Sequence, residues 1–109
     1  MTIPLQVTFH QMDPSDAVRE RIGERAEKLE NHYQRVGNCR VVIEAPHRHH
    51  HKGKLYSVVV EVQVPGATLT SHRSPGQRHE HEDIYVALRD SFDSIERQIE
   101  DFARRKRGD

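Results

Sequence analysis

Residues 81–107 read HEDIYVALRDSFDSIERQIEDFARRKR. The apolar residues Ile84, Leu88, Phe92, Ile95, Ile99 and Phe102 follow one another at steps of 4, 4, 3, 4 and 3. That spacing confines all six to one stripe of a 3.6-residue period and predicts a long amphipathic helix. Glu82 and Asp83 stand where the helix dipole favours anions, and Arg104, Arg105, Lys106 and Arg107 where it favours cations. A helix with such a stripe needs an apolar surface to cover, so the rest of the chain has to supply one.

Working back from that helix, Ala67 to His72 reads as a strand, joined by a Pro65-Gly66 turn to a longer one. In the longer strand Tyr56, Val58, Val60, Val62 and Val64 share a face. Cys39 to Ala45 is a further strand that Pro46 ends. At the start of the chain, Ile3, Leu5, Val7 and Phe9 alternate with polar residues, and Pro4 marks an edge position or a strand beginning just after it. Between these, Val18, Ile22, Ala26, Leu29 and Tyr33 define an earlier helix. Asp13 is expected to cap it, with Pro14 in its first turn. Gly23 should weaken it by roughly 1 kcal/mol relative to alanine. Arg73 to Glu80 reads as a polar loop. The order strand, helix, three strands, helix predicts an α+β fold, a four-stranded sheet with both helices on one face.

At 109 residues, 34% hydrophobic and 31% charged, the chain reads as one domain over 1–109 with a thin core. No apolar run suits a membrane span and no signal-peptide pattern opens the chain, so no membrane partner and a cytoplasmic location are expected. The single Cys39 is expected to be a buried structural thiol. No phosphate-cradling glycine loop, nucleophile elbow or zinc-protease motif is present, so neither an enzyme nor a small-molecule substrate nor a cofactor is expected. Asp93, Arg97, Asp101 and Arg105 form an i, i+4 series that reads as a helix-stabilising ladder.

Formal charge is zero, but it is unevenly spread. From Arg35 to Arg78 there are seven basic residues, Arg35, Arg40, Arg48, Lys52, Lys54, Arg73 and Arg78, against Glu44 and Glu61. Arg21, Arg25 and Lys28 line one flank of the first helix. Of these cations, Arg21, Arg25, Lys28, Arg48, Lys52, Lys54, Arg73 and Arg78, with the 104–109 tail containing Arg104, Arg105 and Lys106, are the candidate RNA contacts. The same residues also read as a solvated rim paired with neighbouring acids. The loop 46–54 contributes His47, His49, His50 and His51, which are the candidate metal ligands. Histidines adjacent in a loop do not preform a tetrahedral site, however.

The stretches AVRERIGERAEKLENHYQRV and EDIYVALRDSFDSIERQIEDF, in this order of elements, resemble the ribosome hibernation promoting factor and ribosome-associated inhibitor family. Its members are also labelled modulators of an alternative sigma factor. Lys28-Leu29-Glu30, Asp83-Ile84-Tyr85 with Ala87, and Arg97-Gln98 carry the resemblance most specifically. It implies a β-α-β-β-β-α domain related to double-stranded-RNA-binding domains. It further implies binding to the small ribosomal subunit's RNA, in the channel used by messenger and transfer RNA, under stress or in stationary phase. Arg25, Lys28, Arg97 and Arg105 match the family's basic helix positions. Ser94 and Asp101 stand where relatives often carry lysine, and the loops at 47–54 and 73–80 look longer. A short form is implied, with a monomer expected. A protein-interaction regulator and a metal-binding protein are the alternatives from other classes.

Overall fold

The computed structural model describes residues 3–45, 55–72, 79–106 and 108. Five strands and two helices follow in the order β1 (Leu5–His10), α1 (Asp16–His32), β2 (Asn38–Glu44), β3 (Tyr56–Val64), β4 (Ala67–Thr70), β5 (His79–His81) and α2 (Ile84–Lys106). The expected α+β architecture holds, with a mixed sheet ordered β1-β2-β3-β4. β1 lies parallel to β2, a pairing that needs a crossover connection such as α1, and the other pairs are antiparallel.

Register sorts the side chains by face. Val7 opposes Val41, Val41 opposes Val60, and Val62 opposes Leu69. These residues, with Cys39, Ile43 and Val58, line the core face that the helices cover. Ile22, Ala26 and Leu29 come down on it from α1, and Leu88, Phe92, Ile95 and Ile99 from α2, all buried. The opposite face alternates to polar residues such as Gln6, Thr8, Arg40 and Thr68, the period-2 pattern of a half-buried sheet. Gly66 closes the β3–β4 turn with a left-handed φ of 80°, which glycine adopts without steric cost.

Three expectations are corrected. Ser15, not Asp13, caps α1: its backbone is extended and its Oγ accepts the Val18 N–H at 3.2 Å. Asp13 stands two residues too early to reach the first-turn donors. The last long strand ends at Thr70 rather than His72. There Ser71 donates its N–H to the Val60 carbonyl while its side-chain Oγ accepts the Val60 N–H, each at 2.9 Å, so a hydroxyl replaces the next ladder carbonyl. The segment read as a polar loop through Glu80 also contains a strand, β5, which pairs with Tyr56, Ser57 and Val58 of β3. Since β2 already occupies one side of β3 over Ser57–Gln63, β5 falls in line with β4 on the other side. Three residues are too few to show an alternation in sequence.

Candidate nucleic-acid interface

The two helices run parallel. Arg21 of α1 meets Tyr85 of α2, Arg25 meets Asp93 and Glu96, His32 approaches Glu100, and Tyr33 meets Phe102 edge-on at 6.4 Å. Both carbonyl ends therefore point the same way. Between them lies an open cleft of about 630 Å³ lined by His32, Arg35, Glu100, Arg104 and Lys106, among others. Parallel dipoles place like partial charges together, and cations at this end offset them.

Arg25 is the most committed of these cations. Its side chain is only 16% exposed, and Nη2 donates to Asp93 Oδ1 at 2.9 Å and to Glu96 Oε2 at 2.8 Å. Its guanidinium carbon also sits 5.3 Å from the centre of the Phe92 ring. Burial works against the charge, but the hydrogen bonds that Arg25 donates to Glu96 and Asp93, and the proximity of those carboxylates, outweigh it, holding the pKa above the ordinary arginine value. Lys28 Nζ lies 3.9 Å from Glu96 yet stays 65% exposed. Arg21 pairs with Glu24 at 3.3 Å.

The expected ladder along α2 does not form. Asp93 bonds across to α1 and Asp101 takes Arg104 three residues on. Arg97 and Arg105 are exposed and form no ion pair among the described residues. A cation held from α1 in a partly desolvated position attracts Asp93 more strongly than a solvated one on the same helix. Lys106 lies over the Phe102 ring, 5.5 Å from its centre.

The helices are not a cationic face. Each carries five acids, against four cations in α1 and five in α2. The excess of basic over acidic residues falls in the sequence segments 46–54 and 73–78 instead. Arg48, Lys52, Lys54, Arg73 and Arg78 lie outside the described residues, as do His47, His49, His50 and His51. Their described flanks are placed: Glu44 pairs with Ser57, and His81 pairs with Tyr56 just before α2 begins. The second strand therefore ends, and α2 begins, at the same end of the sheet. Among the described residues no group of three His, Cys, Asp or Glu side chains could hold a metal ion. No described helix is long and apolar enough to cross a membrane.

Two exposed residues beside this end were not among the candidate site residues read from sequence. Tyr85, 37% exposed, is the large apolar side chain left open among those described. Arg21 lies over its ring, 5.2 Å from the centre. Arg89 joins Arg21, Arg25, Tyr85, Val86 and Leu88 in lining one cleft. The available sign was positional: Tyr85 falls one residue off the apolar stripe, and Arg89 follows four residues later on its face.

Residues 5–107 match the sequence model of the family described as Sigma 54 modulation protein / S30EA ribosomal protein. The chain belongs to that family. It is 27% identical over 96 residues to a ribosome hibernation promoting factor of Azotobacter vinelandii, covering 87% of this chain and 78% of that protein. Its fold is similar to that of a ribosomal subunit interface protein from Coxiella burnetii, with a TM-score of 0.74 and 19% identity over 93% of this chain and 98% of the other. The N-terminal domain of Protein Y from Thermus thermophilus is similar too, with a TM-score of 0.71 and 20% identity over 92% and 99%. The resemblance drawn from the two helical stretches is thereby borne out at the level of family and fold.

Proposed function

We propose that this protein is a cytoplasmic, non-enzymatic, ribosome-associated hibernation factor. It binds RNA of the small subunit in the channel used by messenger and transfer RNA, and so silences translation under stress or in stationary phase. Family membership across residues 5–107 is the observation that carries this reading. The structure contributes a division of labour. Arg25 joins the helices, while Lys28, Arg97 and Arg105 stand exposed and can reach phosphate oxygens. Arg21, Arg104 and Lys106 extend that reach, and the sequence segments holding Arg48, Lys52, Lys54, Arg73 and Arg78, which contain no acid, add further cations. No step in this function makes or breaks a bond. It is occupancy, set by electrostatic attraction to a polyanion.

Purified protein should co-sediment with small ribosomal subunits at low salt and be released as salt rises. Lys28→Glu combined with Arg97→Glu should weaken binding and flatten its salt dependence without altering the melting temperature by more than a few degrees. Absence of the protein from the subunit peak at low salt would end the proposal.

A further inference from the structure

The cleft between the N-terminal halves of the two helices lies against the Arg25 ion pairs that join them. It is lined by Arg21, Arg25, Tyr85, Val86, Leu88 and Arg89 and has a volume of about 350 Å³. We propose that Tyr85, framed by Arg21 and Arg89, is a stacking subsite for one unpaired nucleobase of RNA, with the two guanidinium groups on the flanking phosphates. The inference deepens the RNA-binding reading above and rests on it.

Three observations converge on the subsite. Tyr85 keeps 37% of its surface exposed although it stands in the first turn of a helix whose neighbouring stripe is buried. An open aromatic ring beside cations is what single-stranded nucleic acid uses, because every base presents a π-face. The Arg21 guanidinium already lies over that ring at 5.2 Å, an arrangement that a base can join as a further layer. Arg89 stands one helical turn beyond Tyr85 on the same side of α2 and lines the same cleft.

The acids nearby do not close the site. Arg21 meets Glu24 at 3.3 Å and Arg89 meets the adjacent Asp90 at 3.3 Å, with all four side chains well exposed. Pairs of that kind contribute little and exchange readily with a stronger anion. Arg25, by contrast, is turned to Asp93 and Glu96 and forms the floor of the cleft rather than a phosphate contact. The apolar area here is one ring with the edges of Val86 and Leu88, too small for the core of a protein interface.

The chain contains no tryptophan, so Tyr85→Trp places a unique fluorophore at the subsite. Its emission should be quenched on titration with small ribosomal subunits, and separately with single-stranded oligoadenylate. In sedimentation assays Tyr85→Ala should weaken subunit binding by about tenfold, towards the low end of base–aromatic stacking losses, with the salt slope unchanged. Tyr85→Phe should stay within about twofold, since the ring is kept. Arg21→Gln and Arg89→Gln should each flatten the slope by about 0.7, one phosphate contact apiece. Wild-type affinity in Tyr85→Ala, or an unquenched indole in the complex, overturns the subsite while leaving the ribosome reading intact. If the wild type fails to bind subunits at all, the ribosome reading is lost and the oligoadenylate arm decides. Tyr85-dependent binding there sustains the stacking site, and binding that is absent or independent of Tyr85 ends it.

Discussion

The joint between the helices should depend on Arg25 through Glu96 rather than through Asp93. Arg25→Met keeps an unbranched stem against Phe92 and removes the charge that bonds both acids. A hydrogen bond between charged groups contributes about 1.5–3 kcal/mol when it is shielded. The Glu96 pair, with side chains 16% and 23% exposed, approaches that condition. Asp93 is 45% exposed, so its share is screened to about 0.5 kcal/mol. The Arg25 Nε is buried without a hydrogen-bond partner, which leaves part of the desolvation cost uncompensated and lowers the total. Arg25→Met should therefore destabilise by about 2 kcal/mol, seen in urea unfolding as a lower midpoint at unchanged slope. A double-mutant cycle with Glu96→Gln should return a coupling of about 1–2 kcal/mol, and the cycle with Asp93→Asn about 0.5. Equal couplings near zero would refute the reasoning. They would show that both pairs behave as solvated surface contacts.

Other consequences are open to direct measurement. Gly23 lies inside α1 with no atom within 4 Å of an added Cβ. Gly23→Ala should add roughly 1 kcal/mol and raise the melting temperature by about 4–8 °C, and a lower melting point would contradict the open space. Ser91 is fully buried, donates to the Val58 carbonyl and lies 3.3 Å from Ser71 Oγ. Ser91→Ala should cost about 1 kcal/mol in urea unfolding and speed amide exchange at Val60, where Ser71 accepts. Burial pushes the Cys39 thiol from 9.0 up to about 12. The folded state thus holds this proton more tightly than the unfolded one. The resulting stability is fully present below pH 9 and declines as pH rises towards 12, a slope that should be missing in Cys39→Ala. A maleimide at pH 8 should label Cys39 only after unfolding.

The amphipathic elements were readable because their physics is local. The steps of 4 and 3 along Ile84, Leu88, Phe92, Ile95 and Ile99 state which way α2 must face, and all but Ile84 are buried. The alternation in β3 likewise states which valines enter the core. Where a side chain had to choose a partner, local pattern was insufficient. Ser15 and Asp13 are both good caps by type, and only the reach of a hydroxyl to the Val18 N–H separates them. Ser71 could have continued β4, but its Oγ took the place of a ladder carbonyl.

The cations divide along the same line. Residue types and their clustering were enough to suggest a polyanion as partner, and helix spacing placed Arg21, Arg25 and Lys28 on one flank. Spacing could not show that Arg25 meets Asp93 and Glu96, 68 and 71 residues away, while Arg97 and Arg105 remain unpaired among the described residues. Nor could it place Arg21 over Tyr85. The two helices, the long strands and their apolar faces follow from sequence alone, since each depends on neighbours within a turn or two. Which charges neutralise one another depends on how two helices lie side by side on a sheet. Only tertiary packing decides that, because Coulomb attraction acts across space and is indifferent to separation along the chain.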